Sequence, residues 1–155
     1  MERYSTTLIG ADLIDSDSPA VLAGIPVKLG EYQVQAGEEI AIGYGPFVGQ
    51  ESAIGRLFIE LKDDSATPAV ENGLVRLSVW DPQNRPLIVL GEWRTETTAS
   101  GATDRTLRIP LPENRVNLTE DQKLVLEFIS DADDTLTKSA CTVAVDCTRY
   151  RVRKR

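Results

Sequence analysis

Apolar side chains recur at every second position along most of this chain. The clearest run lies within residues 73–80, where Val75, Leu77 and Val79 alternate with polar side chains. A period of two is typical of a β-strand that buries one face and leaves the other in contact with water. The same alternation predicts further strands within residues 25–36, 40–44, 57–61, 107–111, 124–128 and 141–147.

Residues 73–93 predict a β-hairpin around which the other strands are arranged. Residues 81–86 concentrate Asp, Asn and Pro, which favour turns because they bond to their own backbone or restrict φ. The returning segment, residues 87–90, is apolar at four consecutive positions, so both of its faces are apolar. We therefore predict that this segment lies in the middle of a sheet and is covered on both sides.

Together these segments predict an all-β protein, a two-sheet, jelly-roll-like β-sandwich of about eight or nine antiparallel strands. We expect the sandwich to span residues 25–148 as one domain, which is a normal size for a chain of 155 residues. Pro110 cannot donate to a ladder, and this favours an edge position for the strand within residues 107–111.

Residues 1–24 hold neither period for long and predict an extended N-terminal arm. Two apolar pairs are its candidate partner-binding anchors, Leu8 with Ile9 and Leu13 with Ile14. Two interpretations of the arm remain open. It packs on its own domain, or its anchors bind a neighbouring subunit.

The hydropathy of the chain predicts a soluble protein. No apolar run approaches the roughly 18 residues that a membrane span needs. The first residues lack the basic start and apolar core of a signal peptide. We therefore expect synthesis in a cytoplasm and no contact with a membrane.

The two cysteines, Cys141 and Cys147, are expected to be free thiols. Six residues of extended strand would separate their Cα atoms by ~20 Å, whereas a disulfide tolerates at most about 7 Å. In a strand both would point to the same side as Val143 and Val145, where a buried thiol behaves as a small apolar group. A metal site is poorly supported, because the sequence has no histidine and no third cysteine.

The charge of the chain is unevenly distributed. The net charge is −7, but five of the last seven residues are basic and none is acidic, so residues 1–148 carry −12. An acidic body repels phosphate backbones, and we do not expect it to bind nucleic acid. The basic C-terminal tail, residues 149–155, contains the candidate partner-binding residues Arg149, Tyr150, Arg151, Arg153, Lys154 and Arg155.

Three interpretations of this tail remain open. It is a solvated end that keeps the protein in solution, it docks on an acidic protein surface through guanidinium–carboxylate contacts, or it contacts nucleic acid held nearby. Tyr150 and Val152 alternate with the basic residues, which favours strand-like docking on protein over contact with nucleic acid.

The sequence offers few groups for catalysis. It contains no histidine, which excludes Ser-His-Asp and Cys-His mechanisms and most catalytic zinc sites. A pair of carboxylates, as in glycosidases, stays open, although none of the 24 acidic residues is singled out by its spacing. Residues 131–134 resemble the start of a calcium loop but lack its later glycine and glutamate, so a solvated acidic turn is favoured. We expect no cofactor and no metal.

An acidic, histidine-free sandwich with an arm and a basic tail resembles the small β-sandwich cement or decoration proteins of tailed-virus capsids. The features that carry the resemblance are the arm, the strand–turn–strand at residues 33–42, the proline-bearing edge strand and the basic end. The resemblance covers the whole chain. It implies a non-enzymatic structural protein of the virion, made in the host cytoplasm. Such a protein binds and stabilises the shell of major capsid proteins as a homo-oligomer, a dimer or a trimer.

Two other functions remain open. A carbohydrate- or ligand-binding β-sandwich module, part of a tail or adhesion device, would need Trp80, Trp93, Tyr44 or Phe47 exposed together on one face. A carboxylate-based hydrolase would need a paired, buried acidic residue with a raised pKa in a cleft.

Overall fold

The structure is a computed structural model that describes residues 2–9, 14, 16–42, 56–67, 71–95, 106–108 and 116–151. These residues form twelve β-strands and a turn of 3-10 helix at Lys138–Ala140. The all-β fold predicted from the alternating pattern is confirmed. No helix in this described part of the chain is long and apolar enough to cross a membrane.

The strands follow one another along the whole chain. In order they are β1 (Glu2–Ile9), β2 (Ala20–Val21), β3 (Val27–Gln33), β4 (Glu38–Ile42), β5 (Arg56–Glu60), β6 (Gly73–Trp80), β7 (Pro86–Arg94), β8 (Thr106–Arg108), β9 (Val116–Leu118), β10 (Lys123–Ser130), β11 (Asp134–Thr135) and β12 (Thr142–Arg151). Several are only two or three residues long, too short to show a period, so they exceed the number expected from alternation.

One sheet has four antiparallel strands in the order β3-β10-β6-β7. Strands β6 and β7 form the predicted hairpin. Asp81 closes the turn between them, because its Oδ1 accepts the backbone N–H groups of Gln83 and Arg85, each at 2.9 Å. Asn84 adopts a left-handed φ of 62° in this turn, a conformation that Asn tolerates better than most residues.

The second sheet has six strands and is built around β12. Strand β1 pairs with one side of β12. Strands β5 and β4 pair with the other side, one after the other, at residues 142–146 and 148–151. Strand β8 extends the sheet beyond β5 and lies at its edge, the position predicted for the strand that contains Pro110. Pro110 itself lies outside the described residues.

The two large sheets bury one continuous apolar core between them. Its fully buried side chains come from both sheets and include Leu77, Leu124, Phe128, Ile40, Leu57 and Leu118. Each such side chain contributes roughly 1.5–3 kcal/mol when it is removed from water. Because strands of both sheets contribute to one cluster, the architecture is the predicted β-sandwich.

Cys147 occupies the buried strand position that its spacing predicts, whereas Cys141 does so only in part. Cys147 is fully buried in β12 together with Val145, and Cys141, just before this strand, is half-buried against the same core. Both are free thiols. Cys141 Sγ accepts the N–H of Lys62 at 3.3 Å. Burial raises the pKa of the Cys141 thiol, which therefore stays protonated at neutral pH.

The prediction for the returning strand of the hairpin is wrong. We expected residues 87–90 to be covered on both sides, but β7 lies at the edge of the four-stranded sheet. Leu87, Ile88 and Val89 expose 54%, 43% and 48% of their surface, and only Leu90 is buried. A run of four apolar residues is compatible with a covered central strand and also with an edge strand whose two faces are both exposed. The run alone does not separate these two cases.

Candidate functional site

The predicted N-terminal arm and C-terminal tail meet in the structure. The arm begins as strand β1, which includes Leu8 and Ile9 and pairs antiparallel with β12 of the same chain. Arg149, Tyr150 and Arg151 of the predicted tail are the last residues of β12. The two candidate segments therefore lie side by side in one sheet, although they come from opposite ends of the sequence.

The remaining candidates in these segments are distributed differently. Ile14 belongs to the core, with 4% of its surface exposed, so it anchors the arm to its own domain. Outside the described residues lie Leu13, Arg153, Lys154 and Arg155. A role in binding a partner stays a prediction for both segments.

Three carboxyl groups that are far apart in the sequence converge in the structure. Asp63 follows β5, Glu71 precedes β6 and Asp134 begins β11, and one carboxylate oxygen of each lies within 4.8 Å of the others. The backbone positions them, since the N–H of Glu71 donates to the carbonyl oxygen of Leu61 at 2.9 Å and Asp63 forms a β-bridge with Leu136. Glu71 is the buried member, with 7% of its surface exposed. We call these three residues the acidic cluster.

The pKa of Glu71 is raised from its ordinary value of 4.5 to about 7, chiefly by burial. A hydrogen bond with Asp134 and the negative charges of Asp134 and Asp63 also contribute to this rise, whereas a hydrogen bond with Ser130 opposes it. Ser130 Oγ lies 3.0 Å from Glu71 Oε1 and 2.6 Å from the carbonyl oxygen of Ala132. A hydroxyl group has one proton to donate, so Ser130 donates to only one of these two acceptors at a time. With a pKa of about 7, Glu71 loses its proton only as the pH rises through neutrality.

The geometry of the acidic cluster is better suited to retaining a proton than to catalysing hydrolysis. Carboxylate oxygens also bind hard cations such as Ca²⁺ or Mg²⁺, so Asp63, Glu71 and Asp134 are the set of metal ligands that the described residues offer. A glycosidase holds its two carboxyl groups about 5 Å or more apart, with the substrate between them. Glu71, by contrast, is buried and hydrogen-bonded to Asp134. The raised pKa expected of a hydrolase is present, but the two carboxyl groups are hydrogen-bonded to each other and do not lie on either side of a substrate site.

The acidic turn after β10 does not gather its carboxylates around one point. Asp131 Oδ2 lies 2.6 Å from Nη2 of Arg94 in an ion pair. Asp133 Oδ1 accepts the backbone N–H of Ala23 at 2.8 Å, and Asp134 belongs to the acidic cluster. Because the three carboxylates have different partners, the geometry favours an acidic turn over a calcium loop.

The two tryptophans do not share a face of the sandwich. Trp93 pairs with the inward-facing Val75 and packs against the core. Trp80 lies on the opposite side of the four-stranded sheet, where its Nε1 donates to Ser78 Oγ at 3.0 Å. Both are half-buried, so they do not form the exposed aromatic platform that a glycan-binding module would need. Outside the described residues lie the other two candidate aromatics, Tyr44 and Phe47.

The exposed large apolar side chains of the described residues form two patches. The edge patch consists of Leu87, Ile88 and Val89 on β7. The corner patch consists of Leu22 and Ile25 in the turn between β2 and β3, with 48% and 52% of their surface exposed. Strands β7 and β3 are opposite edges of the four-stranded sheet, so the two patches lie on opposite sides of it.

The fold is similar to that of a phage capsid protein. The solved structure of VP17, a capsid protein of bacteriophage P23-77, matches this chain with a TM-score of 0.56 and 9% sequence identity. The match covers 99% of this chain and 100% of that chain. At this identity the likeness shows a shared fold alone. No protein family model matches this chain, and no curated protein has a significantly similar sequence.

Sequence reasoning missed the acidic cluster and both apolar patches. The cluster has no characteristic spacing, so no local signal would reveal it. The corner patch does leave a signal, because Leu22 and Ile25 lie on either side of Gly24, and turns favour small and polar residues. The edge patch also left a signal, the apolar run on β7, but we assigned that run to a covered strand.

Proposed function

We propose that this protein is a non-enzymatic structural protein of a virion and a component of its capsid. The observation that carries the proposal is the similarity of fold to VP17, a capsid protein of bacteriophage P23-77, over the whole length of both chains. A β-sandwich serves many functions, so the chemistry of this chain is the second support. It has no histidine for general base catalysis, and in the acidic cluster among the described residues the buried Glu71 is hydrogen-bonded to Asp134.

The finer proposal is a cement or decoration protein that binds the assembled shell of major capsid proteins and stabilises it. In this role the paired ends of the chain form the contact region, since β1 and the last residues of β12 lie side by side. In the sequence, Arg153, Lys154 and Arg155 come two to four residues after the end of β12, and their positive charges suit an acidic surface of the shell. The protein then resides in the virion after synthesis in the host cytoplasm.

Purified virions provide the direct test of the structural role. Mass spectrometry should find this chain among the proteins of the particle, in an amount that corresponds to many copies per shell. Antibodies labelled with gold should bind the outside of intact particles. A chain that is absent from purified virions contradicts the proposal.

Removal and re-addition separate a cement role from a shell-building role. Particles stripped of this chain should keep an intact shell, melt at a lower temperature, and recover their melting temperature when the chain is added back. A shell that does not form without this chain would assign it a building role instead and would exclude the cement role.

The basic end can be tested in the same re-addition assay. Replacing Arg153, Lys154 and Arg155 with glutamine should weaken binding to stripped particles, because the three positive charges are lost. The control replaces three lysines of the body, Lys28, Lys62 and Lys138, with glutamine and so removes the same amount of positive charge. Equal weakening by both variants would show that total charge matters and the position of the tail does not.

A further inference from the structure

Of the four asparagines in this chain, Asn72 is the one that a glycine follows, Gly73. Asparagine is chemically labile, because the peptide nitrogen of the next residue can attack its side chain and expel ammonia. The reaction is fastest before glycine, which has no Cβ to hinder the approach. The side chain of Asn72 is exposed to solvent just before β6. Sequence and exposure therefore make Asn72 a candidate for covalent modification.

The packing of the four-stranded sheet requires the glycine. Gly73 is buried and pairs with Ser130 of β10. A Cβ at Gly73 would press against the carbonyl oxygen of Ile129 and lie 2.6 Å from the ring of Phe128. A larger residue would hinder attack on Asn72, but it would also crowd β10. Protection of Asn72 therefore has to come from the contacts of the surrounding backbone.

The hydroxyl group of Thr95 holds the backbone on both sides of Asn72. Thr95 Oγ1 accepts the N–H of Gly73 at 3.0 Å and donates to the carbonyl oxygen of Glu71 at 2.7 Å. Thr95 is buried, with 2% of its surface exposed, so little water competes for these two bonds. The N–H of Gly73 must lose its proton before its nitrogen can attack. The hydrogen bond to Thr95 therefore withholds the attacking group.

Two further backbone hydrogen bonds fix the same segment. The carbonyl oxygen of Asn72 accepts the N–H of Asp131 at 3.0 Å, and the N–H of Glu71 donates to the carbonyl oxygen of Leu61 at 2.9 Å. The nitrogen of Gly73 becomes free to attack only when its own hydrogen bond opens, and the neighbouring bonds resist that opening. Deamidation therefore has to wait for local opening of this segment.

We propose that Asn72 is a deamidation site whose reaction is gated by the hydroxyl group of Thr95. In the opened segment the nitrogen of Gly73 bonds to Cγ of Asn72, the bond from Cγ to Nδ2 breaks, and ammonia leaves with the proton that Gly73 gave up. Water then opens the resulting succinimide ring at one of its two carbonyl carbons. Opening at Cγ gives aspartate, whereas opening at the main-chain carbon gives isoaspartate. The reaction needs only the chain and water, so it is independent of the capsid role.

The products should weaken the end of the sheet. Both add a negative charge directly after Glu71 of the acidic cluster. Isoaspartate also lengthens the main chain by one atom, which displaces Gly73 from a position that leaves no room beside Ile129 and Phe128. The isoaspartate form should therefore unfold at a lower urea concentration than the unmodified chain.

Incubation of the purified chain in mildly alkaline buffer, followed by peptide mapping with mass spectrometry, measures the rate at Asn72. The folded wild type should deamidate much more slowly than the same chain unfolded in urea. Thr95→Val keeps the size of the side chain but leaves the N–H of Gly73 without its acceptor, and it should raise the rate in the folded protein about tenfold. Thr95→Ser keeps the hydroxyl group and should retain the slow rate.

Two controls separate this local gate from general loss of stability. Leu126→Ala weakens the core but leaves the contacts of Thr95 in place, so it should accelerate deamidation less than Thr95→Val does. Asn72→Gln should remove the fast reaction from this peptide even in urea, because the longer side chain closes its ring more slowly. Circular dichroism verifies that each variant is folded before incubation.

Three results would overturn the proposal. They are equal rates in the folded and the urea-unfolded wild type, an unchanged rate in Thr95→Val, and equal acceleration by Leu126→Ala and Thr95→Val. The first comparison needs no variant, so it holds even if a substitution prevents folding. Anion exchange then isolates the deamidated forms of the wild type, and an isoaspartate form with the urea midpoint of the unmodified chain would contradict the expected weakening of the sheet.

Discussion

Strand β10 contains a run of three large apolar residues and β7 a run of four, and the two runs differ in how far they are buried. Residues 124–126 of β10 have no exposed surface, whereas residues 87–89 of β7 are each about half exposed. The local patterns are alike, since both runs are apolar at consecutive positions. The neighbours differ, because β10 lies between β3 and β6 while β7 has a described neighbour on one side only.

Strand β10 is covered even on the face that points away from the core. Val125 pairs with Ser78 on this outer face and is fully buried. The indole of Trp80 reaches back to Ser78, and Lys28 Nζ lies 5.9 Å from the centre of the Trp80 ring. Long side chains of β6 and β3 thus cover the outer face of β10. A strand with one neighbour has no second row of side chains to cover it in this way.

The comparison shows that an apolar run on both faces of a strand has two meanings. In the centre of a sheet, it reflects cover by neighbouring side chains. At an edge, it leaves apolar side chains in contact with water. Substitutions that act on one run and leave the other alone separate these two meanings.

The largest loss of stability is expected from a substitution in the apolar run of β10. Leu126→Ala should lower the free energy of unfolding by about 2–5 kcal/mol, because it opens a cavity in a core that cannot fully relax around it. Urea denaturation followed by tryptophan fluorescence measures this loss. A loss below about 1 kcal/mol would mean that the core around β10 is loosely packed.

A smaller loss is expected where β6 meets the end of β10. A Cβ on Gly73 would press against the carbonyl oxygen of Ile129 and lie 2.6 Å from the ring of Phe128. Gly73→Ala should therefore lower the free energy of unfolding by about 1–3 kcal/mol. The control is Gly37→Ala, where a Cβ meets nothing within 4 Å and the expected loss comes from backbone strain at a φ of 75°. If crowding matters, the two variants differ in near-ultraviolet circular dichroism, and identical spectra would contradict the clash.

The free energy of unfolding should depend on pH through Glu71, which lies near the same end of β10. Its pKa of about 7 lies above the ordinary value of 4.5, so the folded protein binds this proton more tightly than the unfolded chain. The stabilisation is complete below pH 4.5 and is lost as pH rises through about 7. The chain has no histidine, so few other groups titrate in this range. Urea midpoints of the wild type should fall between these pH values.

Replacement of the carboxyl group tests this assignment. Glu71→Gln keeps the shape of the side chain and cannot ionise, so the midpoint of this variant should stay nearly constant over the same pH range. Leu87→Ala leaves the acidic cluster intact and should keep the wild-type dependence. The same pH dependence in Glu71→Gln as in the wild type would exclude Glu71 as the titrating group.

The smallest loss of stability is expected from a substitution in the apolar run of β7. Leu87→Ala removes the same atoms as Leu126→Ala, but from a side chain that is already 54% exposed. Its free energy of unfolding should change by less than about 0.5 kcal/mol, as measured by the same urea denaturation. A loss as large as that of Leu126→Ala would show that β7 is covered in solution even without a partner.

Local features of the fold were open to prediction from the sequence. The turn of the β6–β7 hairpin follows from Asp81, whose carboxylate satisfies the backbone donors of the next residues. The burial of Cys147 follows from its parity with Val145 in one strand. These features depend on residues that are close in the sequence, which is why a pattern of a few positions reveals them.

The candidate sites were predicted less completely. Glu71 meets Asp134 because β6 and β11 are placed by separate long-range pairings, and no spacing encodes that encounter. Leu8 and Arg149 were chosen as separate partner contacts, but β1 and β12 form one ladder. The pairing of the two ends arises from strand register over the whole chain, which neither end contains by itself.

By itself, the sequence determined that the chain forms strands and which side of most strands faces the core. Alternation is a local property, and burial of one face follows from the hydrophobic effect. Only the tertiary structure decided the order of strands in each sheet. That order leaves three apolar side chains of β7 exposed to water, and it places the carboxyl group of Glu71 close to two acidic neighbours. Strand order depends on contacts between distant segments, and a period of two is the same in the centre of a sheet as at its edge.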